Sequence, residues 1–177
     1  MSTIVYYYSR TGNNKYLAEK IAKELNCTIE KIRPRADIFI FYLLKISFGL
    51  KKFKNAPENF DRVILVGPIW MGRFVTPLKS FVSKYSASIK ALSFVTCCGT
   101  SDEVKFEKFG HGLVFKQIES ILGDKCISCD AFPIGLTLPE NEEVKGDAVM
   151  KIRLNDSNFN GVIKQRFDKY IQQIIGK

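Results

Sequence analysis

The sequence predicts an α/β protein: a doubly wound, five-stranded parallel sheet with helices on both faces, in one domain over residues 1–177. Three observations predict it. β-branched and aromatic stretches alternate along the chain with segments whose apolar residues recur at helical spacing. One of those stretches, DRVILV from Asp61 to Val66, is a nearly continuous apolar run, as in strands covered on both faces. Polar, glycine-bearing loops follow the first, third and fourth strands, so all three leave the sheet at its carboxyl edge, where such sheets bind ligands.

Ile4 to Tyr8 is β-branched and aromatic, which suits a buried strand. After Ser9-Arg10-Thr11-Gly12-Asn13-Asn14, the apolar residues Leu17, Ile21 and Leu25 recur every fourth position beside Ala18 and Ala22. Lys15, Glu19, Lys20, Lys23 and Glu24 take the other face of that helix. Cys27 to Ile32 reads as the second strand, ended by Arg33-Pro34. In the stretch from Ile38 to Lys54, Phe39, Tyr42, Leu43, Ile46, Leu50 and Phe53 fall at helical spacing among lysines. Such a basic amphipathic helix either buries its stripe on the sheet or lies on an anionic membrane or a partner. Asp61 to Val66 is the third strand and runs into Gly67-Pro68-Ile69-Trp70-Met71-Gly72-Arg73. Thr76 to Tyr85 is helical, with Pro77 tolerated in the first turn. Ala91 to Thr96 is the fourth strand and Cys97 to Asp102 its exit loop. Phe109 to Leu122 is a helix closed by Gly123. Cys126 to Phe132 is the fifth strand, residues 135–156 form a long polar connection, and Asn158 to Ile175 is the last helix.

Composition narrows the function classes. The net charge of +9 fits an acidic partner or an anionic surface, but the lysines are spread along the chain. No dense basic and aromatic patch resembles a nucleic-acid module, so no nucleic-acid partner is expected. Met1 leads into a strand with no basic segment before it, and no apolar run is long enough to span a bilayer. Five cysteines without framework spacing point to reduced thiols and a cytoplasmic location. Cys126-Ile-Ser-Cys129 matches CxxC, but on a strand rather than at a helix start, so ordinary strand packing is its simpler reading. His111, the only histidine, sits between Gly110 and Gly112 and reads as a surface or helix-entry residue. No spacing suits a metal.

The loop Ser9 to Asn14 has two readings. It is an ordinary turn and N-cap, or it is an anion site in which the first helical N–H groups and the side chains of Ser9, Thr11, Asn13 and Asn14 hold phosphate oxygens. Neither the GxxxxGK[ST] nor the GxGxxG pattern is present.

These residues together resemble the flavodoxin family. Ser9-Arg10-Thr11-Gly12-Asn13-Asn14 between strand and helix is similar to its phosphate loop, [ST]xTGx[TN]. Val66 to Arg73 looks like its first flavin-ring loop, and Thr96 to Asp102 is similar in placement to the second. The similarity covers most of the chain and is weakest at residues 33–57 and 135–157. It implies strand order 2-1-3-4-5 with FMN at the switch point, an order carried over from the family. It also implies roles: residues 9–14 on the phosphate, and Pro68, Ile69, Trp70, Met71 and Gly72 on the ring. Trp70 would stack and Gly72 would let the backbone approach. Cys97, Cys98, Gly99 and Thr100 would meet the pyrimidine edge. The chain departs from the pattern in three ways. The fourth-strand loop offers Cys98 and Gly99 where a second aromatic, often Tyr, commonly stacks, which leaves one ring face open or covered by Phe106 or Phe109. Asn14 stands where Thr is frequent, and the chain is basic where electron-carrying flavodoxins are usually acidic.

The leading expectation is an FMN-binding electron carrier between protein partners. The alternative is an FMN-dependent oxidoreductase acting on a quinone or another small flat electron acceptor. A third class, a flavin-free interaction domain of this fold, keeps the fold and drops the site. Response regulators are disfavoured because Tyr8 and Ser9 stand where that family places acidic residues.

Overall fold

Five parallel strands form the central sheet, in the order β2-β1-β3-β6-β7. They are β1 (Thr3–Tyr7), β2 (Thr28–Lys31), β3 (Arg62–Val66), β6 (Leu92–Cys98) and β7 (Cys126–Pro133). A separate antiparallel hairpin, β4 (Ile69–Trp70) and β5 (Arg73–Phe74), stands beyond the end of β3. Among the described residues the helices are α1 (Asn13–Glu24), α2 (Thr76–Tyr85), α3 (Gly112–Leu122), α4 (Asp147–Lys151) and α5 (Gly161–Ile175). The structure is a computed structural model that describes residues 1–36, 47–138 and 147–176.

Side-chain alternation along the strands sorts the core into two layers. Ile4, Tyr6, Val63, Leu65, Leu92 and Phe94 face Leu78, Phe81 and Val82 of α2 and Val114 and Ile118 of α3. Val5, Ile64, Val66 and Val95 face Leu17 and Ile21 of α1 and Ile163, Phe167 and Ile171 of α5. The doubly wound sheet expected from the alternation is therefore present, and the chain reverses its winding between β1 and β3. A charged side chain also enters the second layer. Arg62 on β3 is buried and its Nη1 donates to the carbonyl of Ile174, in the last turn of α5.

Several boundaries differ from expectation, each for a local reason. The loop after β3 contains the β4–β5 hairpin, because Met71 and Gly72 both take left-handed φ values, 49° and 66°. Two such residues make the tight turn whose twist suits a hairpin. Helix α3 begins at Gly112 rather than Phe109, and α5 at Gly161 rather than Asn158. The connection after β7 carries a 3₁₀ turn, Ile134–Thr137, and α4. The amphipathic stretch is partly corrected. Residues 37–46 lie outside the described residues. Residues 47–53 are not helical: Gly49 has φ 79°, and Leu50 forms an isolated bridge with Pro34. There Leu50 and Phe53 are buried in the core layer, while Phe48 is exposed.

Candidate functional site

The site is built where three loops leave the carboxyl edge of the sheet. The amide of Tyr8 donates to the Val66 carbonyl at 2.9 Å, so the exits of β1 and β3 are held side by side. Gly12 then takes φ 102° and serves as the N-cap of α1. A side chain is strained in that conformation, which is why the position suits glycine. The Gly12 N–H is turned back onto Ser9 Oγ at 3.2 Å. No side chain caps α1, and its first turn holds no acidic residue. The N–H groups of Asn13, Asn14 and Lys15 have no intrahelical acceptor, so the positive end of the helix is left for an external anion. A Cβ built on Gly12 meets nothing within 4 Å. An open, uncapped helix start beside two hydroxyls, Ser9 and Thr11, fits a phosphate group.

The two asparagines do something the sequence did not reveal. Asn14 is buried, and its side chain is bound to the backbone of Cys97: Oδ1 accepts from the Cys97 N–H at 2.8 Å and Nδ2 donates to its carbonyl at 3.2 Å. Asn13 does the same for the segment before α5: Nδ2 donates to the Ile152 carbonyl at 3.1 Å and Oδ1 accepts from the Leu154 N–H at 3.0 Å. The expectation that both amides reach for an anion is thus revised. They tie the first loop to the end of β6 and to residues 152–154, and only their backbone N–H groups are left at the start of the helix.

Trp70 is half-buried on the β4–β5 hairpin, and the Arg10 guanidinium sits 5.4 Å from its ring centroid. The first loop and the ring loop therefore touch through a cation over an aromatic face. Pro68 and Ile69 lead into the hairpin, and Met71 projects into solvent at its tip. Gly72 stands against the 108–109 segment. A Cβ there would lie 2.5 Å from the Lys108 carbonyl oxygen and 3.0 Å from Phe109 Cα. The close approach that glycine allows is used by the 108–109 backbone. Beyond Trp70 lies a cavity of about 780 Å³, bordered by Ile69, Trp70, Phe74, Thr76, Gln117 and Met150. None of residues 9–14 lines it.

The third loop is more organised than its sequence suggested. Cys97 and Cys98 are buried at the end of β6, and burial raises both thiols, Cys98 to about 11. His111 is buried, not at the surface. Its Nδ1 lies 3.3 Å from Thr100 Oγ1 and 3.7 Å from Cys98 Sγ, and its Nε2 lies 3.6 Å from Asp102 Oδ1. Asp102 in turn receives Arg166 of α5 at 2.5 and 3.2 Å. Burial lowers the His111 pKa against the pull of Asp102, while the Arg166 hydrogen bond lowers that of Asp102. A thiol held this high is a poor nucleophile at neutral pH. The Cys98–His111–Asp102–Arg166 chain therefore fixes the loop's shape. Met150 of α4 adds a residue that sequence reasoning missed: its Sδ lies 2.7 Å from where a Cβ of Gly99 would be. Phe106 and Phe109, one of the two alternatives for the open ring face, are exposed, with Lys105 and Lys116 over Phe106 and Lys108 over Phe109. Among the described residues no group of His, Cys, Asp or Glu could hold a metal ion, and no helix is long and apolar enough to cross a membrane.

No protein-family model matches the chain. An uncharacterized protein of Archaeoglobus fulgidus is 26% identical over 115 residues, covering 63% of this chain and 76% of that protein. Among solved structures, a flavoprotein in complex with FMN from Lactobacillus acidophilus aligns with a TM-score of 0.60 at 15% identity, over 73% of this chain and 92% of its own. A flavodoxin from the domain Archaea aligns over 97% of this chain and 95% of its own, with a TM-score of 0.54 at 14% identity. A short-chain flavodoxin associated with a bacterial microcompartment aligns over 99% and 98%, with a TM-score of 0.55 at 14% identity. At such identities the likeness is one of architecture, and with the strand order and the two core layers it shows that this chain has the flavodoxin-like α/β fold.

Proposed function

We propose that this chain is an FMN-binding redox protein that carries electrons between protein partners. The observation that carries the reading is the meeting of an uncapped helix start, a tryptophan hairpin and a buried, cross-braced loop at the β1/β3 switch point. The N–H groups opening α1 and the hydroxyls of Ser9 and Thr11 would hold the phosphate. Arg10 and Trp70 would border the ring. The backbone of Cys97, Cys98, Gly99 and Thr100 would meet its polar edge, held in place by Asn14. Met150 would lie over Gly99 where a second aromatic is missing. FMN, when bound, supplies the electron-transfer chemistry; the protein supplies position and field. A net charge of +9 suits acidic-faced partners and favours their encounter. A reducing cytoplasm suits five free thiols.

One observation favours a second reading. The cavity of about 780 Å³ beside Trp70 falls in the size range of small-molecule sites and is largely apolar. A quinone or another flat acceptor could enter there, which would make the protein an FMN-dependent oxidoreductase.

The test begins with the visible absorption of the purified protein before and after FMN is added and excess removed. Flavin bands that travel with the protein, and their loss in Thr11→Glu, support the assignment. A folded protein that refuses FMN refutes it. Turnover of NAD(P)H with a quinone, without an added reductase, would select the enzyme over the carrier.

A further inference from the structure

A feature remote from the loops concerns Cys126 and Cys129. Residues three apart on a regular strand point to opposite faces and lie about 10 Å apart along it. Here the two sulfurs are 3.7 Å apart. The cause is a register shift. Leu92 pairs with Cys126, yet Ser93 pairs with Ser128, so Ile127 is an extra residue in β7. The bulge restores Cys129 to the face that Cys126 already occupies, and both pack against the layer that contains α3. Bulges interrupt pairing and re-aim side chains, and they concentrate at sheet edges. β7 is an edge strand of this sheet. Both cysteines are partly exposed, and Cys129 lines a surface pocket of about 260 Å³ with Asp130, Phe115 and Lys116.

We propose that Cys126 and Cys129 form a redox-reversible dithiol that exchanges with small-molecule disulfides. Cys126 attacks one sulfur of the external disulfide, RSSR. A mixed disulfide, Cys126–S–SR, forms and RS⁻ leaves, taking up the proton that Cys126 gave. The Cys129 sulfur then attacks Cys126, its proton goes to the second departing RS⁻, and the Cys126–Cys129 bond forms. Two protein thiols are oxidised and one RSSR is reduced to two RSH. The assignment of Cys126 as the attacking sulfur rests on geometry and charge together. The two sulfurs lie within hydrogen-bond reach of each other at 3.7 Å, and that contact lowers the Cys126 pKa and raises that of Cys129. Bond formation needs the sulfurs to close from 3.7 Å to about 2.05 Å. The site uses neither the anion cradle nor Trp70, so it stands whether or not FMN binds.

The experiment treats the folded, full-length protein with oxidised glutathione, alkylates the remaining thiols and maps the peptides by mass spectrometry. The expected product is a Cys126–Cys129 disulfide with three of the five thiols left, reversed by dithiothreitol. Cys129→Ser should trap glutathione on Cys126, and neither it nor Cys126→Ser should form an intramolecular disulfide at this site. An unchanged thiol count in the wild-type protein would overturn the proposal without any variant. So would a disulfide joining other cysteines, or glutathione placed first on Cys27. Urea midpoints of both variants check that each is folded.

Discussion

Replacing Asn14 with leucine tests how the site is assembled. The side chain is nearly isosteric and apolar, so the buried volume is kept while both hydrogen bonds to Cys97 are lost. The Cys97 N–H would then be buried at the end of β6 without its Asn14 acceptor, and the carbonyl would lose the shorter of two donors, keeping the Thr96 hydroxyl at 3.4 Å. Each such group costs about 1–3 kcal/mol, so the sum is about 2–5 kcal/mol after part of the loss is recovered by relaxation. In a domain of this size that corresponds to a fall in Tm of roughly 4–20 °C. Thermal and urea unfolding, followed by circular dichroism, would read it. The same change should weaken FMN binding, because Asn14 is what sets the Cys97–Thr100 loop against the α1 start. Asn14→Asp keeps the acceptor for the Cys97 N–H but turns a charge on its carbonyl and on any phosphate. It should therefore lose more FMN affinity than stability relative to leucine. A leucine variant within about 0.5 kcal/mol of wild type would refute the bracing role, since surface changes lie in that range.

Three other outcomes follow from the geometry. Gly72→Ala should cost about 2–4 kcal/mol in urea unfolding, because it combines a φ of 66° with a Cβ 2.5 Å from the Lys108 oxygen. Gly12→Ala has open space and should cost about 1–2 kcal/mol, so equal losses at the two sites would sink the distinction. On acidification, stability should fall in two windows. The folded pKa of His111 lies below 6.5, so the unfolded chain binds the proton first and stability drops as pH falls below about 6.5. The folded pKa of Asp102 lies below 3.8, and its contribution is lost at still lower pH. His111→Asn should remove the first window only; an unchanged profile between about pH 7 and 5 would contradict the buried neutral imidazole. Trp70 is the only tryptophan, so its fluorescence should be quenched on FMN addition. Trp70→Ala should weaken FMN binding about threefold to tenfold, and no change in either signal would exclude stacking.

The sheet was legible because its code is local. A run such as Arg62–Val66, buried at every residue, announces a central strand, and the four-residue recurrence of Leu17 and Ile21 announces α1. The strand order was not legible from periodicity and came with the family resemblance. The site was half legible. Gly12 and Trp70 could be singled out because a left-handed glycine and an aromatic in a glycine-flanked loop have few ordinary uses. Asn13, Asn14 and His111 could not be placed. Their partners, Leu154, Cys97 and Asp102, are set by tertiary contacts. Asn14 and Cys97 are 83 positions apart, and no local pattern encodes such a pair. The bulge at Ile127 was hidden for a related reason: it exists only relative to the register of β6.

Arg62 gives the order of events in synthesis a physical meaning. Its guanidinium lies in the second core layer and is answered by the carbonyl of Ile174, 112 residues later. Before α5 is in place, that layer has Val5, Ile64, Val66 and Val95 on one side and α1 with Ile134, Leu154 and Phe159 against them. A cation cannot be shut into such a half-built layer without its acceptor. Arg62 should therefore oppose closure of the layer until the segment carrying Ile174 is in place. The nascent chain should stay sensitive to protease on the α1–α5 side, while the layer under α2 and α3 closes early. Arg62→Met would remove that delay and let the half-finished face collapse ahead of its last helix.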